Sequence, residues 1–196
     1  MSIMSLFKRK VVTLEVEEHQ SKIQPKETEI SQIIEKFHNK YMVNISDELK
    51  NEKIHLEPWS IDKSYSHLDN HLGYEDGLAD VPLDRVKGIN SIRGYETWYQ
   101  IYEKYYETRF ESDRKSKHSD IRLNKFDSLI NFIVDNGIGE YKKQILDNPR
   151  FKDYPYFIYI QGDNTYFIGN DGTHRAIIAK WLDLDNIKTV EISKYK

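Results

Sequence analysis

The chain has 196 residues, and its 29 Lys and Arg against 32 Asp and Glu leave a formal net charge of −3, with no cysteine. Such a balance argues against a broad nucleic-acid-binding face while leaving room for local basic patches. The lack of thiols excludes disulfide scaffolds, thiolate zinc sites and cysteine nucleophiles.

Hydrophobic residues make up 38% and aromatic residues 13% of the chain, with 14 Tyr, which is enough for a core built largely of rings whose polar ends need partners. The apolar stretch before Lys8-Arg9-Lys10 is too short for a signal peptide, and no run approaches the roughly 18 apolar residues of a membrane span. A soluble cytoplasmic protein is expected.

In chain order, residues 11–17 (VVTLEVE) alternate as a half-buried strand does. A polar stretch with Pro25 reads as a linker. Ile30, Ile33, Ile34, Phe37 and Tyr41 then fall at helical spacing, predicting an amphipathic helix over 29–42 that runs on toward residue 52 through Ile45 and Leu49. The next stretch mixes turn formers with scattered aromatics and reads as irregular. It holds His67 and His71 with Asp69 between them, but no third ligand is evident and no metal is assigned.

Residues 80–88 (DVPLDRVKG) predict a short strand closed by Gly88. Tyr95, Trp98, Tyr99, Tyr102, Tyr105 and Tyr106 recur at three- and four-residue spacing, an aromatic-faced helix read as packing surface. A hydrophilic loop follows, with the basic cluster RKSKH at 114–118; this cluster and Lys8-Arg9-Lys10 read as solvated loops able to touch a nucleic-acid backbone. Phe126, Leu129, Ile130 and Ile133 share a face of a helix over 125–136, with Gly137 as its C-cap. A helical turn before Pro149 leads to YFIYI and TYFIG, which flank Gln161-Gly162-Asp163-Asn164 as a hairpin. A helix over 173–182 and a last strand, IKTVEI, complete an α/β (α+β) fold with a small mixed β-sheet flanked by helices. Residues 1–78 form an N-terminal extension to a core of 79–196.

The turn Asn170-Asp171-Gly172-Thr173-His174-Arg175 concentrates chemistry between a strand and a helix. Gly172 permits a positive φ or a close backbone approach. The helix start offers unpaired N–H groups and the positive end of its dipole, a site for phosphate. Thr173 can cap the helix or donate to a phosphate, and His174 and Arg175 add donors and charge, Arg suiting bidentate contact. Asp171 can hold a metal ion, accept from a ribose hydroxyl, or orient Arg175. The plainer alternative is a capped helix start, with Asp171 or Thr173 as N-cap and His174 and Arg175 as ordinary surface groups.

The segment YFIGNDGTHRAIIAKWLDLDNIKTVEI resembles the end of the ParB/sulfiredoxin-like domain, in which a strand enters a D/G-G-x-H/R-R turn followed by a helix and a closing strand. VPLDRVKGINSIR is similar to that family's opening strand and arginine-bearing loop. KFDSLINFIVDNGI is similar to its K-x-x-x-L-x-x-x-I-x-x-x-G helix, at Lys125, Leu129, Ile133 and Gly137. The likeness covers about 79–196, interrupted by an insertion of roughly 94–122.

The resemblance implies a nucleotide site for the triphosphate of ATP or CTP, with Mg²⁺, formed by Asp171, Gly172, Thr173, His174 and Arg175, with Arg93 and Lys125 nearby. Catalysis falls to Asp171, His174 and Arg175. Thr173 stands where sulfiredoxin has its catalytic cysteine, so sulfinate repair is excluded. No helix-turn-helix region follows, so chromosome partitioning is not expected, and the DGTHR form is closer to the family's small-molecule kinases and to its bacterial or phage members.

The function expected is therefore an NTP-dependent phosphotransferase or NTPase, acting on a small hydroxyl substrate, with Asp84 and Glu57 the candidate bases for the acceptor. The alternatives are a nucleotide-gated module that contacts a protein partner without turnover, or a nucleic-acid-binding protein or nuclease of the same fold.

Overall fold

The computed structural model describes residues 28–55, 77–90, 94–111, 121–147, 154–169 and 172–196. The expected strand at 11–17, the linker at Pro25, the basic clusters at 8–10 and 114–118, Glu57, and His67, Asp69 and His71 all lie outside these residues, as do Arg93 and Asp171.

Helix α1 (Glu29–Phe37) begins at Thr28, whose hydroxyl accepts from the Ser31 N–H while the Ser31 hydroxyl oxygen accepts from the Thr28 N–H. This reciprocal cap satisfies donors that the first turn cannot. Ile34 and Phe37 are fully buried, and the helix widens into a π-turn over His38–Met42, in line with the predicted 29–42. It does not run on to residue 52. Ser46 adopts extended backbone and caps a separate short helix, α2 (Asp47–Asn51), by accepting from the Leu49 N–H. A serine side chain that offers the backbone a local partner favours restarting a helix over continuing one.

Strand β1 (Ala79–Pro82) is followed by a 3₁₀ turn, Leu83–Arg85, and then by β2 (Val86–Ile89). The single strand predicted over 80–88 is thus two, diverging at Pro82, which has no N–H to continue a ladder. Gly88 lies inside β2 and does not close it. A Cβ there would stand 2.3 Å from the His55 carbonyl oxygen and 2.7 Å from the Phe167 ring, so the glycine lets three segments meet.

The aromatic helix α3 (Trp98–Glu107) starts at Thr97, capped reciprocally with Gln100. Trp98, Ile101, Tyr102 and Tyr105 face inward and are buried, which is the packing surface the spacing predicts. On its flank Tyr106 donates its hydroxyl to Glu35 at 2.7 Å, the Arg109 guanidinium lies 4.0 Å from the Tyr106 ring, and His38 stacks on that ring at 4.3 Å. These contacts fasten α1 to α3.

Helix α4 (Asp127–Tyr141) breaks helical geometry at Gly137, with φ 85° and ψ 168°, and then resumes. The predicted C-cap is therefore a kink within a longer helix, and the expected turn before Pro149 is a π-turn, Lys142–Leu146. Strands β3 (Tyr156–Ile160) and β4 (Thr165–Ile168) form the predicted hairpin, and α5 (Thr173–Trp181) follows. The last predicted strand is also two, β5 (Asn186–Thr189) and β6 (Glu191–Tyr195). The Thr189 hydroxyl accepts from the Glu191 N–H and donates to the Pro155 carbonyl, bending the chain between them.

One sheet runs β2-β4-β3-β6, mixing parallel (β2–β4, β3–β6) and antiparallel (β3–β4) pairs; β1 and β5 form a separate antiparallel pair. The described residues thus form a mixed α+β fold of five helices and two sheets. The main core is a continuous cluster from α1, α3, α4, α5 and one face of the larger sheet, with Trp181 donating its indole N–H to the Trp98 carbonyl at 2.9 Å. Among the described residues no helix is long and apolar enough to cross a membrane.

Candidate functional site

Strand β4 ends at Ile168 and the chain turns into α5 through Gly169 and Gly172. Gly172 has φ 68° and ψ 6°, a left-handed conformation that any other L-residue adopts at a cost. Its open side faces Pro155: a Cβ would stand 2.4 Å from the Pro155 Cα and 2.8 Å from its nitrogen. The close approach that the sequence assigns to a phosphate is here made by the chain's own backbone.

Thr173 is buried, and its hydroxyl donates to the Gly169 carbonyl at 3.1 Å, fixing the angle between β4 and α5. Its first task is therefore structural. Gly172 stands at the N-cap position and brings no side chain to cap α5, and among the described residues the Arg175 and Ala176 N–H groups donate to the Gly172 carbonyl.

His174 is half-buried. Its Nε2 lies 3.2 Å from the Arg122 carbonyl oxygen, and since a carbonyl only accepts, Nε2 carries the proton. The ring meets Phe126 edge-on, with centroids 4.7 Å apart. Burial pushes its pKa down to about 4; the nearby charges of Lys125 and Arg175 act in the same direction, and the Arg122 bond opposes them. The imidazole is thus neutral at neutral pH. This corrects the expectation that His174 adds charge to the turn, because its one N–H is engaged by the fold and its cationic form is disfavoured.

Arg175 is half-buried, and its carbonyl accepts from the Tyr141 hydroxyl at 3.1 Å. Tyr141 is itself fully buried, and desolvation raises its pKa. Lys125 is exposed on the 3₁₀ turn Leu123–Phe126 that leads into α4. Lys125 and Arg175 both lie close enough to His174 for their charges to act on it.

Asp84 is not part of this group. It lines a cavity of about 660 Å³ at the opposite end of α5, together with Glu52, Lys87, Lys180, Asp183 and Asp185. At its edge Lys180, with only 4% of its side chain exposed, donates to Glu52 at 2.5 Å and to the Leu83 carbonyl at 2.9 Å. Burial lowers the Lys180 pKa and the Glu52 carboxylate opposes that shift. Among the described residues no three His, Asp or Glu groups converge as metal ligands would.

Sequence reasoning missed the groups that decide the state of His174. Phe126 was legible only as a core position, and the Arg122 carbonyl leaves no trace in residue identity. The buried Lys180 was also missed; its one signal is a lysine on the otherwise apolar stretch Ala176–Trp181. Compared with protein-family models, curated proteins and solved structures, the chain matches none.

Proposed function

We propose that the chain binds a nucleoside triphosphate, ATP or CTP, at the start of α5, and acts as a ParB/sulfiredoxin-like phosphotransferase or NTPase. The observation that carries this reading is the presence near His174 of two cations from separate elements, Lys125 and Arg175. Both are near enough to His174 to disfavour its protonation. His174 lies in the first turn of α5, which has glycine at its N-cap and where the helix dipole favours an anion. The order of elements adds support: strands before residue 90, the Lys125 turn with α4, β4, the glycine turn, α5 and the strands after it come in the order of parts that the resemblance implies.

Lys125 and Arg175 supply donors for phosphate oxygens. The described residues supply no ligand set for Mg²⁺, so the ion would arrive on the phosphates, whose charge it offsets. The test is calorimetric titration of wild type, Lys125→Ala and Arg175→Ala with ATP, CTP and GTP in the presence of Mg²⁺. A charge-assisted bond contributes about 1.5–3 kcal/mol, so each substitution should weaken binding by about 10- to 150-fold. Wild type that binds none of the three nucleotides refutes the proposal.

A second reading, a nucleotide-gated module without turnover, is favoured by how much of the turn is occupied by folding tasks: the Gly172 approach to Pro155 and the Thr173 and His174 bonds. Release of ADP from bound ATP separates the two.

A further inference from the structure

We infer that His174 is the proton acceptor of this site, the general base that takes the proton from a hydroxyl nucleophile, water or a small alcohol, as the phosphoryl group is transferred. The inference rests on the nucleotide reading above and gives a role to a titratable side chain that lies close enough to both cations to feel their charge.

An imidazole has two nitrogens, and the Arg122 carbonyl fixes which carries the proton. With Nε2–H donated at 3.2 Å, the neutral ring keeps its lone pair on Nδ1. The edge-on contact with Phe126 restrains the ring from turning to exchange the two. No described residue bonds to Nδ1, which is left as an acceptor only. An acceptor cannot serve a phosphate oxyanion, which has no proton to give. It can serve a group that carries a proton, and at a phosphoryl-transfer site that group is the attacking hydroxyl.

The surroundings agree. The charged groups that act on the ring are Lys125, from the turn before α4, and Arg175, one residue on along α5. Both suit the phosphates and both disfavour imidazolium, so the base stays unprotonated until a substrate brings negative charge beside it. In the step itself the nucleophile oxygen forms a bond to the γ-phosphorus and its proton passes to Nδ1. The bond from the γ-phosphorus to the bridging oxygen breaks, and its electron pair leaves with the diphosphate. The imidazolium then returns the proton to solvent.

The decisive substitution is His174→Gln, whose side-chain amide can still donate to the Arg122 carbonyl but has no basic lone pair at the Nδ1 position. Two measurements on the full chain test the inference. In ¹⁵N-labelled wild type, long-range proton–nitrogen correlations of the His174 ring at pH 7, free and with the non-hydrolysable analogue adenylyl imidodiphosphate and Mg²⁺, should show Nε2 protonated and Nδ1 bare. In parallel, ADP formation from ATP and Mg²⁺, with water alone and with glycerol, should fall at least 100-fold in His174→Gln. The nucleotide Kd should stay within threefold of wild type, and the far-UV circular dichroism should be unchanged. The acid limb of the wild-type pH–rate profile should disappear in the variant.

The inference is overturned by an Nδ1–H tautomer, by His174→Gln weakening nucleotide binding as much as Arg175→Ala does, by unchanged ADP formation in the variant, or by wild type that binds ATP and forms no ADP with either nucleophile. Wild type that binds no nucleotide removes the underlying reading and the inference with it. That result is told apart from the others by calorimetry alone.

Discussion

Gly172→Ala separates what the turn does for folding from what it does for a ligand. The backbone at Gly172 has φ 68°, and an L-residue in that region costs roughly 1–2 kcal/mol. The added Cβ would also stand 2.4 Å from the Pro155 Cα, 2.5 Å from its Cβ and 2.8 Å from its nitrogen. Two of those three atoms are backbone, so no side-chain rotation relieves the overlap. The start of β3 or the start of α5 must move, at a cost of about 1–3 kcal/mol. Together the two effects destabilise the chain by about 2–5 kcal/mol. In a chain of this size each kcal/mol lowers the melting temperature by about 2–4 °C, so a loss near 3 kcal/mol lowers it by roughly 6–12 °C. The assay is a thermal melt and a urea titration followed by circular dichroism, with nucleotide calorimetry at a temperature where the variant is folded. A variant that melts with wild type while losing nucleotide binding would falsify the assignment of Gly172 to the Pro155 contact and return the glycine to the ligand.

Three further outcomes follow from other contacts. Thr173→Val removes the hydroxyl bonded to the Gly169 carbonyl, which should cost about 1 kcal/mol in urea unfolding while nucleotide affinity stays put; a stable variant that fails to bind would reverse that assignment. Glu52→Gln leaves the Lys180 ammonium buried with the Leu83 carbonyl and should destabilise by about 3 kcal/mol, whereas the double change Lys180→Met with Glu52→Leu should lie within about 1 kcal/mol of wild type; equal stability of Glu52→Gln and wild type would show that the pair is not coupled. His174 has a folded pKa of about 4, below its open-chain 6.5, so between those values the unfolded chain binds the extra proton. Stability is therefore undiminished above pH 6.5 and is lost as pH falls toward 4, by about 2 kcal/mol once partial exposure of the ring is allowed for. Urea midpoints of wild type and His174→Gln from pH 7 to 4.5 should diverge accordingly, and parallel curves refute it.

Regular periodicity was the part of the fold that the sequence made legible. Ile30 to Phe37, Trp98 to Tyr106 and the paired runs around Gln161–Asn164 all became the elements their spacing predicts. What periodicity does not carry is the local bond that stops an element. Ser46 restarts a helix that the apolar pattern would continue, and the Thr189 hydroxyl divides the run IKTVEI into two strands. Gly88 looks like a terminator, yet it sits mid-strand because the His55 carbonyl needs its empty side. At the candidate site the glycine turn between a strand and a helix was legible from the residues themselves. The charge state of His174 was not, because it depends on burial and on a main-chain oxygen of Arg122.

The aromatic core has an optical consequence. Trp181 lies 5.4 Å from the Tyr102 ring, 6.3 Å from Tyr105 and 4.8 Å from Phe126, and Phe126 in turn meets His174. Excitation absorbed by those tyrosines is handed to the indole before it can be emitted, so the folded chain's fluorescence is dominated by tryptophan and tyrosine emission returns on unfolding. Because Trp181 and His174 share Phe126 as a common neighbour, a ligand that tilts the imidazole shifts the environment of the fluorophore. Among the described tryptophans, Trp181 is thus the one placed to report, without any attached dye, a movement of the His174 ring.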